Sequence, residues 1–292
     1  MMPVQHRRSA LYVPASHQRA MEKAGQVGAD CIILDLEDAV APEAKHNARA
    51  RALEFIRAFS FSKPRVVVRI NSLATRWGLD DLAGVATTTP YAVLIPKVNC
   101  SDDVIRASKM LDDANAARSV RLWVMLETPQ ALIHAHTIAC ASELPESRLE
   151  CLVLGLNDLS KETSVRFVPG RAPMWHWLST AVLAARANDL SILDGVFNSL
   201  EDPLGLLQEC EQARDFGFDG KTLIHPNQVA IANEAFTPTE EEIAHARAVI
   251  NAFEDPVNAH VGALRVNGQM VERLHLHSAH RTVSFAELPR EK

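Results

Sequence analysis

Short runs of apolar, β-branched residues alternate with longer stretches of helical periodicity eight times along this chain, and no other feature restricts its fold so tightly. The runs are Ala10–Val13, Cys31–Leu34, Val66–Ile70, Ala92–Pro96, Leu122–Leu126, Cys151–Gly155, Ser191–Leu193 and Thr222–Ile224. Each is nearly continuous in apolar character, as a strand reads when helices cover both of its faces. Helical patterns lie between them, as over Glu43–Phe59, Asp102–Ala117, Pro129–Ala141 and Arg171–Asn188. Pro42, Pro129 and Pro203 stand near helix starts, where a missing N–H does little harm. Repeated βα units call for a parallel sheet, and eight of them predict an α/β fold of the TIM (β/α)8 barrel type. An open doubly wound sheet is the alternative.

The barrel is expected over residues 1–235. Thr237-Pro238-Thr239-Glu240-Glu241-Glu242 then signals a new helix, running to about Phe253 and broken by Glu254-Asp255-Pro256. A turn is expected at Val266-Asn267-Gly268-Gln269, followed by a last helical segment. Residues 236–292 thus read as a C-terminal helical extension packed on the barrel or on a neighbouring subunit.

Composition excludes several classes. The 292 residues suit one barrel of roughly 250 residues plus an appendage. A hydrophobic share of 47% with 23% charged residues belongs to a globular chain. Thirty basic against 36 acidic residues leave a net charge of −6, which speaks against nucleic acid or an anionic membrane as main partner. No apolar run approaches a membrane span, and the basic start lacks the apolar stretch of a signal peptide. Cys31, Cys100, Cys140, Cys151 and Cys210 are scattered without a C-x-x-C pair. They read as buried thiols in a reducing compartment, so a cytoplasmic location is expected.

A parallel barrel builds its active site at the C-terminal ends of its strands. The polar residues that end the runs are Asp35, Glu37 and Asp38, then Arg69 with Asn71, Lys97, Glu127, Asp158, Asp194 and His225. Glu37, Asp38, Glu127 and Asp158 converging on one opening would repel one another unless a cation sat among them. Hard oxygen donors with no Cys or His in the set favour Mg²⁺, or alternatively Mn²⁺. For Asp158, in Gly-Leu-Asn-Asp-Leu-Ser, the plainer reading is a helix N-cap. Arg69 ends an apolar strand and suits bidentate capture of a substrate carboxylate, or a pair with a rim acid; the two are compatible. Lys97 as a Schiff-base or proton-transfer lysine is the lesser reading beside a metal site.

Histidine clusters are weaker candidates. His275 and His277 lie two apart, so on a helix they point away from each other, and His280 does not rescue a metal site. His134 and His136 fail in the same way. His225 is better placed, with a structural hydrogen bond and a catalytic role both open. Trp175 and Trp177 read as packing residues.

Taken together, Arg8-Ser-Ala-Leu-Tyr-Val-Pro-Ala, the block Leu34-Asp-Leu-Glu-Asp-Ala-Val-Ala-Pro-Glu-Ala-Lys45, Val68-Arg-Ile-Asn71, Ile95-Pro-Lys-Val98, Leu126-Glu-Thr-Pro129, Gly155-Leu-Asn-Asp158 and Gly220-Lys-Thr-Leu-Ile-His-Pro-Asn-Gln228 resemble the citrate lyase β-subunit-like family of acyl-CoA lyases. That family includes malyl-CoA and citramalyl-CoA lyases. The tail Asn267-Gly-Gln-Met-Val-Glu272 looks like its C-terminal motif. The resemblance implies a TIM barrel with Mg²⁺ on Glu127 and Asp158, Glu37 and Asp38 acting through metal-bound water, and Arg69 holding a keto-acid carboxylate. It further implies CoA, as part of the substrate, along the first βα loop at Tyr12 and Lys23. Assembly as a homotrimer or homohexamer is also implied, with the C-terminal extension covering its own or a neighbouring active site.

The activity so implied is retro-aldol cleavage of a 3-hydroxyacyl-CoA such as malyl-CoA or citramalyl-CoA. The products are glyoxylate or pyruvate and acetyl-CoA or propionyl-CoA. Glu272 stands where the family commonly carries an acid–base aspartate, and its extra methylene leaves open a shift from lyase to thioesterase. Ala15 and His17 are smaller departures from the pattern. The alternatives are a (3S)-malyl-CoA thioesterase on the same scaffold, a metal-dependent aldolase that uses no CoA, and a citrate lyase β-subunit-like protein working with an acyl-carrier partner.

Overall fold

The computed structural model describes residues 7–58 and 64–287. The expected helix end at Phe59 lies outside the described residues. The strands are β1 (Ser9–Pro14), β2 (Cys31–Asp35), β3 (Arg65–Arg69), β4 (Ala92–Ile95), β5 (Arg121–Leu126), β6 (Leu149–Leu154), β7 (Ser191–Asp194) and β8 (Gly220–Leu223). They pair in parallel in chain order, and β8 returns to β1 in the register Ser9↔Lys221 to close the barrel. Closure leaves no sheet edge, so the open-sheet alternative falls away.

Alternation along each strand sends one set of side chains inward and the next outward. Ile33, Val67, Leu94, Trp123, Val153 and Leu193 belong to the inner cluster. Their neighbours Ile32, Val66, Val93, Val124, Leu152 and Ile192 pack outward against helices. Both faces are dry, which is why the runs read as continuous rather than alternating. At the N-terminal end, Trp123 donates its indole N–H to Glu150 at 3.2 Å, and Arg7 pairs with the same carboxylate at 2.8 Å.

The barrel helices are α1 (Gln18–Ala24), α2 (Lys45–Ala58), α3 (Arg76–Ala86), α4 (Ser101–Asp113), α5 (Pro129–Ile133), α6 (Ala135–Cys140), α7 (Leu156–Thr163), α8 (Trp175–Ala187), α9 (Pro203–Phe216) and α10 (Val229–Ala235). Two differ from the pattern-based expectation. The stretch from Pro129 breaks at His134 (φ −99°, ψ 12°), whose ring is bonded to the Asn99 carbonyl at 3.0 Å. The stretch from Arg171 becomes helical only at Trp175, because Gly170 and Arg171 both take positive φ (73° and 52°) and Pro173 follows.

The chain divides into two compact units, Arg7–Phe236 and a second one from Thr237 onward. The second contains α11 (Glu240–Glu254), the antiparallel pair β9 (Ala263–Val266) and β10 (Gln269–Glu272), and α12 (His275–Glu287). Thr239 and Glu242 form the expected capping box at the start of α11. The hairpin turn puts Asn267 at φ 50° and Gly268 at φ 83°, the two positive angles that a twisted two-residue turn demands. Val249, Phe253, Val266, Val271 and Ala279 make its small core. No helix among the described residues is long and apolar enough to cross a membrane, and all five cysteines carry free thiols.

Candidate active site

Two charge clusters stand at the C-terminal ends of the strands. The first is centred on Arg69, the last residue of β3. Asp35 closes β2 directly beside it, as the register Asp35↔Arg69 requires. The Asp35 carboxylate accepts from Arg69 Nε at 2.7 Å and Nη2 at 2.6 Å, and from the backbone N–H groups of Glu37 (2.9 Å) and Ala39 (3.1 Å). Burial alone would raise its pKa, but the guanidinium charge and these hydrogen bonds outweigh burial and hold the carboxyl below its usual range.

The guanidinium fork expected for a substrate carboxylate is therefore committed to Asp35. Nη1 is the remaining edge, 3.1 Å from Glu37 Oε2 and 3.6 Å from Asp38 Oδ2. The guanidinium carbon lies 4.7 Å over the ring of Tyr12, which reaches the site from β1. Glu37 is buried, and burial pushes its pKa up to about 8, with Arg69 opposing and the charges of Glu127, Asp38 and Asp35 adding. Its Oε2 is at ion-pair distance from Arg69 without an aligned hydrogen bond. The Asp38 side chain is largely exposed.

Two residues hold this loop in place. The buried Lys45 ammonium donates to the carbonyls of Leu36 (3.0 Å) and Glu37 (2.9 Å), and Asn71 donates to Leu36 at 2.9 Å. Asn71 is thus a bracket for the loop and not a mouth residue.

The second cluster joins Glu127, Lys97 and Asp158. Glu127 follows β5 and is wholly buried; its Oε1 accepts the backbone N–H of Lys97 at 2.7 Å. The Lys97 ammonium lies 3.5 Å from that oxygen and hydrogen-bonds Asp158. Burial pushes Glu127 up to about 7, with Lys97 opposing and Asp158 adding. Burial would lower the pKa of Lys97, but Glu127 and Asp158 outweigh it and raise the value. Lys97 is thereby an ammonium, and a Schiff-base role, which needs the neutral amine, does not fit.

Gly155 caps α7, and Asp158 sits in the first turn with its side chain on Lys97, so the N-cap reading of Asp158 is corrected. A side chain at Gly155 would run into Glu127, with a Cβ at 3.0 Å from Oε2 and 3.2 Å from Met125 Cε. Glycine here makes room for the carboxylate.

The four carboxylates expected around one cation therefore divide between Arg69 and Lys97. Among the described residues no three His, Cys, Asp or Glu side chains converge on one point. Glu127 and Asp158 nevertheless fit a hard divalent ion: Glu127 Oε2 is buried without a hydrogen-bond partner, and Mg²⁺ is commonly held by one or two carboxylates plus water and substrate oxygens.

The remaining candidates fall elsewhere. Asp194 was expected at the mouth, but Leu193 faces the interior, so Asp194 faces outward to Lys221 (2.7 Å) and Arg171 (2.8 Å). His225 Nδ1 accepts from Asn227 N–H at 3.2 Å and caps a 3-10 turn. Glu272 lies on β10, in the second unit, where its backbone N–H donates to His275 Nδ1 at 2.8 Å. Lys23 lines an open cleft of about 810 Å³ with His17, Arg19 and Arg51, and Tyr12 does not line it. The pair with a rim acid that the sequence offered for Arg69 is present, with Asp35 as the partner, while sequence reasoning missed the bracket role of Lys45. Asp35 ending an apolar strand and Lys45 closing the acidic motif were the signals on offer.

Residues 8–226 match the family model described as HpcH/HpaI aldolase/citrate lyase. The chain belongs to this family. Within the HpcH/HpaI aldolase/citrate lyase family it is 43% identical to a (3S)-malyl-CoA thioesterase of Cereibacter sphaeroides over 280 residues, covering 96% of this chain and 94% of the relative. It is 31% identical to the L-malyl-CoA/beta-methylmalyl-CoA lyase of the same species over 310 residues, covering 98% and 96%. Among solved structures it resembles protein CitE from Mycobacterium tuberculosis in complex with magnesium, acetoacetate and coenzyme A. The TM-score is 0.75 at 31% identity, with 95% of this chain and 97% of that one covered. Barrel and family thus agree with the resemblance read from the motifs.

Proposed function

We propose that this protein binds a malyl-type 3-hydroxyacyl-CoA at the barrel mouth together with Mg²⁺ and hydrolyses its thioester. The observation that carries this reading is 43% identity over nearly the whole chain to a (3S)-malyl-CoA thioesterase. The two clusters at the mouth support it. Glu127 and Asp158 would hold the Mg²⁺, and Mn²⁺ would suit the same oxygens. When bound, the metal supplies Lewis-acid polarisation of substrate oxygens.

The chain's own residues supply the rest. Arg69 offers its Nη1 edge to the substrate carboxylate, and Asp35 fixes the angle at which it does so. Glu37, held near 8, carries its proton at neutral pH and can deliver it to a leaving group. Asp38 and Tyr12 flank the same guanidinium. The cations His17 (when protonated), Arg19, Lys23 and Arg51 around the open cleft suit the phosphates of CoA. In the hydrolysis, water adds to the thioester carbonyl carbon, the C–S bond breaks, and the sulfur leaves as the CoA thiol after taking a proton. The free hydroxy acid is the other product.

Retro-aldol cleavage is the second reading, favoured by the 31% identity to a malyl-CoA/methylmalyl-CoA lyase. There the hydroxyl gives up its proton as its carbon becomes the carbonyl of the keto acid, the C–C bond from that carbon to the α-carbon of the thioester breaks, and the acyl-CoA enolate takes a proton, from Glu37 or from Glu272. Incubation with (3S)-malyl-CoA and Mg²⁺ separates the two. Malate with free CoA is expected; glyoxylate with acetyl-CoA overturns the hydrolase reading in favour of the lyase. The proposal includes a cytoplasmic homotrimer or homohexamer in which Glu272 serves a barrel mouth, tested by light scattering and by the activity of Glu272→Gln.

A further inference from the structure

Lys97 is where the two carboxylates of the second cluster meet. Its backbone N–H and its ammonium both address Glu127 Oε1, at 2.7 Å and 3.5 Å, and the ammonium also bonds Asp158 Oδ1. Among the described residues, the ion pairs of Glu127 and Asp158 are with Lys97. The backbone takes the left-handed region here, at φ 55°, which a lysine adopts when its surroundings hold it there. The Lys97 side chain is 29% exposed and Asp158 25%, while Glu127 is fully covered. The ammonium therefore has a route to solvent that Glu127 lacks.

Lys97 Nζ already contacts one oxygen of each carboxylate, so a divalent ion held by Glu127 and Asp158 would stand within a few ångströms of the ammonium, where two cations repel. We propose that Lys97 is a built-in competitor of the divalent cation: it holds Glu127 and Asp158 in register and swings outward when the metal takes them. The inference rests on the metal reading given above. Two carboxylates with one ammonium keep a net negative charge, whereas a divalent ion neutralises them, so exchange is favoured. It still requires breaking a charge-assisted hydrogen bond, which weakens the apparent metal affinity by roughly ten- to a hundredfold. Substrate oxygens that complete the metal's shell would then tip the exchange, so that metal loading and substrate binding assist one another.

The test is a titration of the full chain with Mn²⁺, read from the metal's paramagnetic signal without any CoA ester present. Lys97→Met should bind Mn²⁺ at least roughly tenfold more tightly than wild type, while Lys97→Arg, which keeps the charge, should bind no more tightly. In EDTA, Lys97→Met should melt below wild type, because its two carboxylates lose their counter-ion, and Mn²⁺ should reverse that order. Lys97→Gln carries the same expectation if the methionine variant fails to fold. Binding by Lys97→Met and Lys97→Gln that equals or falls below wild type overturns the proposal and leaves the metal site standing. If no protein in the series binds Mn²⁺, the metal reading and this inference fall together.

Discussion

Replacing Asp194 by asparagine removes one of two negative charges from a buried group of four ions. Asp194 accepts from Arg171 at 3.0 and 2.8 Å and from Lys221 at 2.7 Å, and Lys221 also pairs with Glu209 at 2.6 Å. The side chains of Asp194 and Lys221 are fully covered and that of Arg171 is 2% exposed. An asparagine keeps the shape but turns an N–H₂ toward the cations and leaves the group one charge positive. Removing one partner of such a buried pair costs about 3–5 kcal/mol. At roughly 2–4 °C per kcal/mol for a chain somewhat smaller than this one, Tm should fall by roughly 6–20 °C.

The pH dependence has a definite sign. Burial would raise the pKa of Asp194, but Lys221 and Arg171 outweigh it and depress the value. A depressed carboxyl contributes stability that is complete above its unfolded pKa of about 3.9 and is lost as pH falls through the folded value. The wild-type–Asp194→Asn difference should hold from pH 7 to 5 and shrink below about pH 4. Urea unfolding at a series of pH values measures it. Adding Lys221→Met should recover part of the loss, by restoring one positive against one negative charge. A difference below about 1 kcal/mol at pH 7 would refute the charge argument. Normal stability with lost turnover would return Asp194 to the barrel mouth.

The other predictions concern the mouth itself. Glu127→Gln and Asp158→Asn should each abolish Mg²⁺-dependent turnover, and wild-type rates in either would remove the metal assignment. Arg69→Lys should raise KM for the CoA ester and lower stability by roughly 1.5–3 kcal/mol, since an ammonium cannot make both hydrogen bonds to Asp35; lost stability with unchanged KM would confine Arg69 to holding Asp35. Gly155→Ala should displace Glu127 and lower kcat/KM by about 10²-fold for a shift near 1 Å, with an overpacking cost of about 1–3 kcal/mol. Unaltered kcat/KM would show that the position of Glu127 is not critical.

Much of this molecule is legible in its sequence. The barrel followed from eight apolar runs, because a strand dry on both faces leaves an unbroken apolar signature. The capping box at Thr239 and the hairpin turn at Asn267-Gly268 are local rules, satisfied by side chains and dihedrals within four residues. The mouth residues Arg69, Glu127 and Asp158 were visible as polar groups where apolar runs stop. The helix break at His134 was not, since it depends on a carbonyl 35 residues away.

What the tertiary structure decided is which charge answers which. Nine ionisable residues were legible as one rim, but pairing depends on register and on side-chain direction, and neither is written locally. Register places Asp35 beside Arg69 and so takes up the guanidinium fork. Alternation turns Asp194 away from the mouth to Lys221 and Arg171. A left-handed backbone at Lys97 carries its ammonium to Asp158 while its N–H clamps Glu127. Hydropathy patterns record burial, which is a property of each residue; electrostatic partnership is a property of pairs distant in sequence, and only the folded barrel brings them together.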